Sequence, residues 1–207
     1  IQSVMEKTYE ELTASEKTDL VSYWALDEDT GYTPTGSSAA LHAVLDKTDE
    51  TLGAEMFTNG ENFTGASGVT PPDGWSIYTN GIFTIDDSSG SPSGSALKIE
   101  HNGSDNSPRA GVSNITTVVG QLYKLSFKFK NGTATNGIIY SGSIWGNTDY
   151  GREDPTATEW TTYEWSFIAT DTSADIIFGA VTNVAGEYSW YDDISLKAYN
   201  GNAGQLV

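Results

Sequence analysis

The chain has 207 residues, and its 28 acidic against 10 basic side chains give a formal net charge of −18, a field that repels phosphate backbones and anionic lipid and so argues against nucleic acid and membrane insertion. It has no cysteine, which excludes disulfides, thiolate metal sites and cysteine nucleophiles. Hydrophobic residues at 37% are enough for one generous folded domain, or an ordinary domain with an extension.

In chain order, Ile1, Val4, Met5, Thr8, Tyr9 and Leu12 recur at helical spacing, with acids between them. Residues 1–24 are therefore expected to form a helical segment, one helix from Gln2 to about Leu12 and a second from Ser15 to about Tyr23. It either packs on its own domain or serves attachment or oligomerisation, and a homo-oligomer is one expected outcome. Residues 25–53 lose the period and carry Gly31, Pro34 and Gly36, the composition of a linker. Across the boundary between these two segments Leu20–Gly31, LVSYWALDEDTG, resembles the opening strand of laminin-G-like domains. The chain opens on Ile, so it is expected to be a processed product or a piece of a longer protein.

After Gly53 the character changes. Five of the six tryptophans lie there, and turn signals recur every 8 to 12 residues or so, as in a β-sandwich. In Leu122–Lys130, LYKLSFKFK, Tyr123, Leu125, Phe127 and Phe129 alternate with Lys124, Ser126, Lys128 and Lys130, so one face is core and the other wet. Thr161–Ala169 repeats the logic, with Tyr163, Trp165 and Phe167 on the core face. Ala174–Thr182 is apolar or small on both faces, as befits a central strand or one lying beneath a ligand. Gly81–Ile85, Ala96–His101, Arg109–Ile115 and Ile138–Ile144 complete the strands. The fold class expected is all-β, two antiparallel sheets forming a sandwich over residues 54–199, with a tail at 200–207.

The last strand, YSWYDDISLKAY, places Asp192 beside Asp193 in an aromatic run. Adjacent acids repel one another and are poor strand formers, so they need a compensating partner or an exposed position. A cation is one such partner; two solvated acids at a strand end are the other reading.

EMFTNGENF at Glu55–Phe63, then GWSI, ALKIE, YKLSFKFK, WTTYEWSFIA, DIIFGA and YDDISL form a pattern along Ala54–Tyr199. It is similar to that of carbohydrate-binding modules of families four, nine and twenty-two, the galactose-binding-like jelly rolls. The resemblance implies a structural calcium joining the first strand to the last. Its ligands would be Asp193, with Asp192 second, and oxygens near Asn62 and Glu61; the family's NGxFE motif reads NGENFT here, so Thr64 stands where an acid is expected. The same kind of module, in tandem with laminin-G-like segments, occurs in bacteriophage virion proteins, especially tail fibres and capsid decorations.

Sugar recognition needs aromatic rings not spent on the core, with amides and charged groups beside them. Ile138–Asp154 offers Trp145 and Tyr150 as stacking rings with Asn147, Asp149 and Arg152 as hydrogen-bonding partners; Arg109 and Tyr140 extend that surface across the sheet. The alternative is that Trp145 closes the sandwich edge and the polar groups solvate a loop. No G-x-S-x-G, H-E-x-x-H or phosphate-loop motif supports an enzyme. The expectation is a noncatalytic module of a virion or extracellular surface protein binding a surface glycan or polysaccharide; the alternative is a virion decoration or assembly protein contacting other virion subunits without sugar.

Overall fold

The computed structural model describes residues 52–103, 107–143 and 149–200. The helices expected over residues 1–24 lie outside the described residues, as does the linker up to residue 51. Its last two positions, Leu52 and Gly53, instead begin the first strand.

The described residues contain strands and no helix. The strands are β1 (Leu52–Glu55), β2 (Ser76–Thr79), β3 (Ile82–Asp86), β4 (Ala96–Glu100), β5 (Arg109–Thr116), β6 (Leu122–Asn131), β7 (Asn136–Gly142), β8 (Gly151–Glu153), β9 (Thr161–Ile168), β10 (Ser173–Val181) and β11 (Tyr188–Tyr199). They pair antiparallel into two sheets, one ordered β3-β4-β11-β6-β9 with β1 also on β11, the other β2-β5-β10-β7-β8. This is the two-sheet sandwich expected from the alternation, and the jelly roll that the family resemblance implies.

The period-two pattern decides which side chains fill the space between the sheets. On β6, Tyr123, Leu125, Phe127 and Phe129 are buried while the intervening lysines and Ser126 reach toward water. Opposite them β10 contributes Ile176, Phe178 and Ala180. The Phe178 ring meets Tyr191 at 5.2 Å, Phe127 at 5.6 Å, Trp75 at 5.8 Å and Phe57 at 5.9 Å between centroids. Tyr191, fully buried on β11, reaches the other sheet, where its hydroxyl donates to Gly179 O at 2.6 Å and accepts from Ile138 N at 3.1 Å. Burial pushes that phenol far above its ordinary pKa, so it stays neutral and keeps its proton for Gly179.

The first strand is tied to the last by a carboxylate. Glu55 Oε1 accepts from Phe57 N and Leu196 N, both at 2.8 Å, and its Oε2 accepts from Ser195 Oγ at 2.5 Å. The following turn packs tightly: Gly60 O accepts from Ile194 N at 2.8 Å, and a Cβ at Gly60 would lie 2.3 Å from Ile194 O. Gly60→Ala is expected to cost about 1–3 kcal/mol through overpacking, read as a lower urea midpoint with an unchanged slope.

The adjacent acids are explained by a β-bulge. The register of β11 on β6 shifts between Asp192 and Ser195, and Asp193 takes φ 46°, a left-handed conformation that aspartate tolerates better than most residues. The bulge gives the two carboxylates different partners. Asp192, opposite Lys128 in register and covered by the loop before β4, has no exposure and accepts from the Ser91 and Ser93 hydroxyls and from Asp193 N, while Asp193 ion-pairs with Lys128. Neither is a solvated acid at a strand end, since β11 runs on to Tyr199.

Candidate functional site

The outer face of the five-stranded sheet carries a second, smaller apolar cluster. Alternation that sends Ile176 and Phe178 into the sandwich sends Ile177 outward, where it packs with Ile138 and Tyr140 of β7, and Tyr78 and Val181 pack against this cluster. Register sets the order across the sheet: Gly111 of β5 pairs with Ile177, Ile177 with Tyr140, and Tyr140 with Arg152 of β8.

Two guanidiniums close on the Tyr140 ring. The Cζ of Arg109 lies 5.1 Å from its centroid and that of Arg152 lies 5.2 Å, both within the range of a cation–π contact. Arg109 pairs with Gly179 and leans toward Tyr140 across β10; a Cβ on Gly179 would lie 2.8 Å from Arg109 Cγ. The absence of a side chain there opens the route for the arginine.

The two cations differ in their partners. Arg152 is held side-on by Asp154, its Nε donating to both carboxylate oxygens at 3.1 Å and its Nη2 lying 2.9 Å from Oδ2. Arg109 pairs with no carboxylate among the described residues, and its buried Nε has no hydrogen-bond partner. Farther along the face, Asp175 accepts from Asn114 N at 2.9 Å, and Tyr78 shares a short hydrogen bond with Ser113. Burial, together with the nearby Asp175, raises the Tyr78 phenol pKa, so that ring is a neutral donor throughout the physiological range.

The other expected site residues are placed as follows. Tyr150 is a correction: only 8% exposed, it stacks on Phe167 at 4.6 Å and accepts from Thr170 N and Asp171 N, so its ring belongs to the core and is spent. Asp149 accepts from Ser143 N at 2.9 Å and Ser143 Oγ at 2.8 Å, closing the ends of the β7–β8 connection. Trp145 and Asn147 lie outside the described residues. Tyr140, Arg109 and Arg152 converge. Tyr78, Ser113 and Asp175 were missed, although an acid in the apolar run ADIIFGA, two residues before Ile177, was a legible sign that this strand faces something polar.

The four residues expected as calcium ligands lie on the β11 bulge and on the turn after β1, which meet where Ile194 N donates to Gly60 O. Calcium takes six to eight converging oxygens, but Asp192 is enclosed by two serines, Asp193 holds a lysine, and Asn62 and Glu61 are exposed on the turn after β1. Among the described residues no three acids or histidines gather as a metal site. Glu55 itself ties the first strand to the last through Ser195 Oγ and Leu196 N. Saturating calcium and chelator are accordingly expected to give the same melting temperature within 1 °C or so, one degree being well under the shift of roughly 2–4 °C that 1 kcal/mol produces in a chain this size.

No protein-family model and no curated protein matches the chain. Among solved structures it is similar to the CBM22-1 xylan-binding domain of Paenibacillus barcinonensis Xyn10C, at 10% identity and TM-score 0.50, covering 74% of this chain and 97% of that one. The fold is that of a carbohydrate-binding-module jelly roll. The same module fold is matched in bacteriophage CBA120 tailspike protein 4, at 15% identity and TM-score 0.50 over 70% of this chain and 21% of that one. It is matched also in a Stig cyclase from Fischerella sp. TAU, at 13% identity and TM-score 0.52 over 72% of this chain and 98% of that one. Of a matched arabinofuranosidase chain it spans 27%. A module fold shared by binders and a cyclase leaves function to the site itself.

Proposed function

We propose that this chain is a noncatalytic glycan-binding module of a virion or extracellular surface protein, and that it holds carbohydrate on the outer face of the five-stranded sheet. The observation that carries this reading is the register of Arg109, Ile177, Tyr140 and Arg152 on one face, an apolar floor with hydrogen-bond donors standing on it. Likeness to a xylan-binding domain supports a polysaccharide as the class of ligand, and likeness to part of a tailspike supports a virion setting. Trp145 and Asn147, outside the described residues, stay in the proposal as a stacking ring and an amide.

The test is affinity electrophoresis of the full chain through gels containing soluble polysaccharides, after a glycan array has chosen them. Tyr140→Ala, which removes the support of both guanidiniums, is expected to weaken retention about tenfold or more, since aromatic and charged contacts in such sites are each worth about 1–3 kcal/mol. Because the ring is buried, its melting temperature is expected to fall by roughly 6 °C or more, so retention is compared at a temperature where the variant stays folded. Unchanged retention in that variant would remove this face from the site, and retention of no polysaccharide by the folded chain would return the fold to virion architecture without sugar.

A further inference from the structure

The placement of the cations says more about the ligand than the fold does. The chain has two arginines, Arg109 and Arg152, and both stand over one tyrosine on one sheet. The described lysines lie on the other sheet, and each has an oxygen partner: Lys98 with Glu100, Lys124 with Glu164, Lys128 with Asp193, Lys130 with Ser89 O and Lys197 with Glu55. Arg109 is the described cation without one.

From this pairing pattern we propose that the face selects a carboxylate-bearing sugar, a uronic acid unit of an acidic polysaccharide, with Arg109 as its principal contact and Arg152 as the second. The proposal rests on the glycan-binding reading of the same face.

Three observations favour a carboxylate over a neutral sugar. Arg109 Nε is desolvated and unpaired, so the guanidinium has lost water on one edge and gains most from an ionised acceptor on its remaining N–H groups. Asp154 holds Arg152 through Nε and Nη2, which fixes the guanidinium plane over Tyr140 as a second, oriented cation beside Arg109. The Tyr140 ring, only 8% exposed beneath the two cations, orients guanidiniums and offers little face for a pyranose to stack on. The other acid on the face does not compete, because Asp175 is taken up by Asn114 N and faces Tyr78.

The net charge of −18 makes the test discriminating, since nonspecific attraction of a polyanion to such a protein is repulsive and any retention must be local. Full-length protein is run by affinity electrophoresis and calorimetry against sodium polygalacturonate, its carboxyl-reduced neutral counterpart and dextran sulfate. Polygalacturonate is expected to bind at least tenfold more tightly than the neutral polymer and than dextran sulfate, with Arg109→Gln abolishing the difference and Arg109→Lys restoring it only in part. Arg152→Gln, at an exposed position, is expected to act in the same direction and serves if the Arg109 variants fail to fold. Equal or preferential retention of neutral polymer would overturn the carboxylate proposal and leave glycan binding standing. Preference for dextran sulfate would overturn the choice of carboxylate. Absence of binding to all three, with a blank glycan array, would overturn this proposal together with the reading it rests on.

Discussion

Tyr191→Ala is expected to cost about 3–5 kcal/mol, the range for truncating a large buried aromatic, a substantial part of the 5–15 kcal/mol or so that a domain holds. The ring is fully buried and touches Phe127, Phe129 and Phe178, so its loss opens a cavity at the meeting point of both sheets. Tyr191→Phe separates packing from hydrogen bonding. It keeps the ring and removes the donor to Gly179 O and the acceptor for Ile138 N, and it is expected to cost about 1–3 kcal/mol because buried backbone groups are left unpaired. Equilibrium urea unfolding followed by tryptophan fluorescence reads both values. A phenylalanine variant as stable as the parent would show that the hydroxyl does not link the sheets. Gly179 also pairs with Arg109, so the same bond steadies the strand beneath the binding face.

The second large effect is expected at Asp192, and its sign depends on the replacement. Asp192→Ala leaves two serine hydroxyls and Asp193 N without their acceptor and is expected to destabilise by about 2–4 kcal/mol. Asp192→Asn keeps the shape and an acceptor oxygen while removing a desolvated charge. Burial raises this carboxyl above its usual range, opposed by hydrogen bonds from Ser93 and Asp193 N and raised further by the Asp193 charge. A raised folded pKa means that the native state binds the proton more tightly than the unfolded chain. The stability contributed by that proton is fully present below the unfolded value of about 3.9 and is lost as pH rises through the folded value. The parent is therefore expected to gain on Asp192→Asn as pH falls from 7 toward 4, and Asp192→Asn to match or exceed the parent at pH 7. Urea midpoints at pH 4, 5, 6 and 7 test this; a parent that loses ground to the asparagine variant on acidification would show a carboxyl stabilised in its charged form.

Much of the fold is legible from side-chain period alone. Tyr123, Leu125, Phe127 and Phe129 alternate with polar residues, and a strand with one wet face admits a single orientation toward the core. The two apolar faces of Ala174–Thr182 mark β10 as central, and in the structure it lies between β5 and β7. Tyr150 shows where such reading stops. In a Gly- and Asn-rich stretch with no period nothing local tells an exposed ring from a buried one, and only the approach of Phe167 from β9 decides it.

Composition and period by themselves determined an acidic, cysteine-free, two-sheet sandwich, because charge and alternation are properties of the chain read residue by residue. Tertiary structure decided what the charged residues do. Asp192 and Asp193 are neighbours in sequence, yet a bulge sends one to two serines and the other to Lys128. Arg109 and Arg152 are 43 positions apart in the numbering, yet antiparallel pairing through β10 and β7 sets them on one ring. Register between strands distant in sequence is set by the packing of both sheets at once, and it is this register that assembles the binding face.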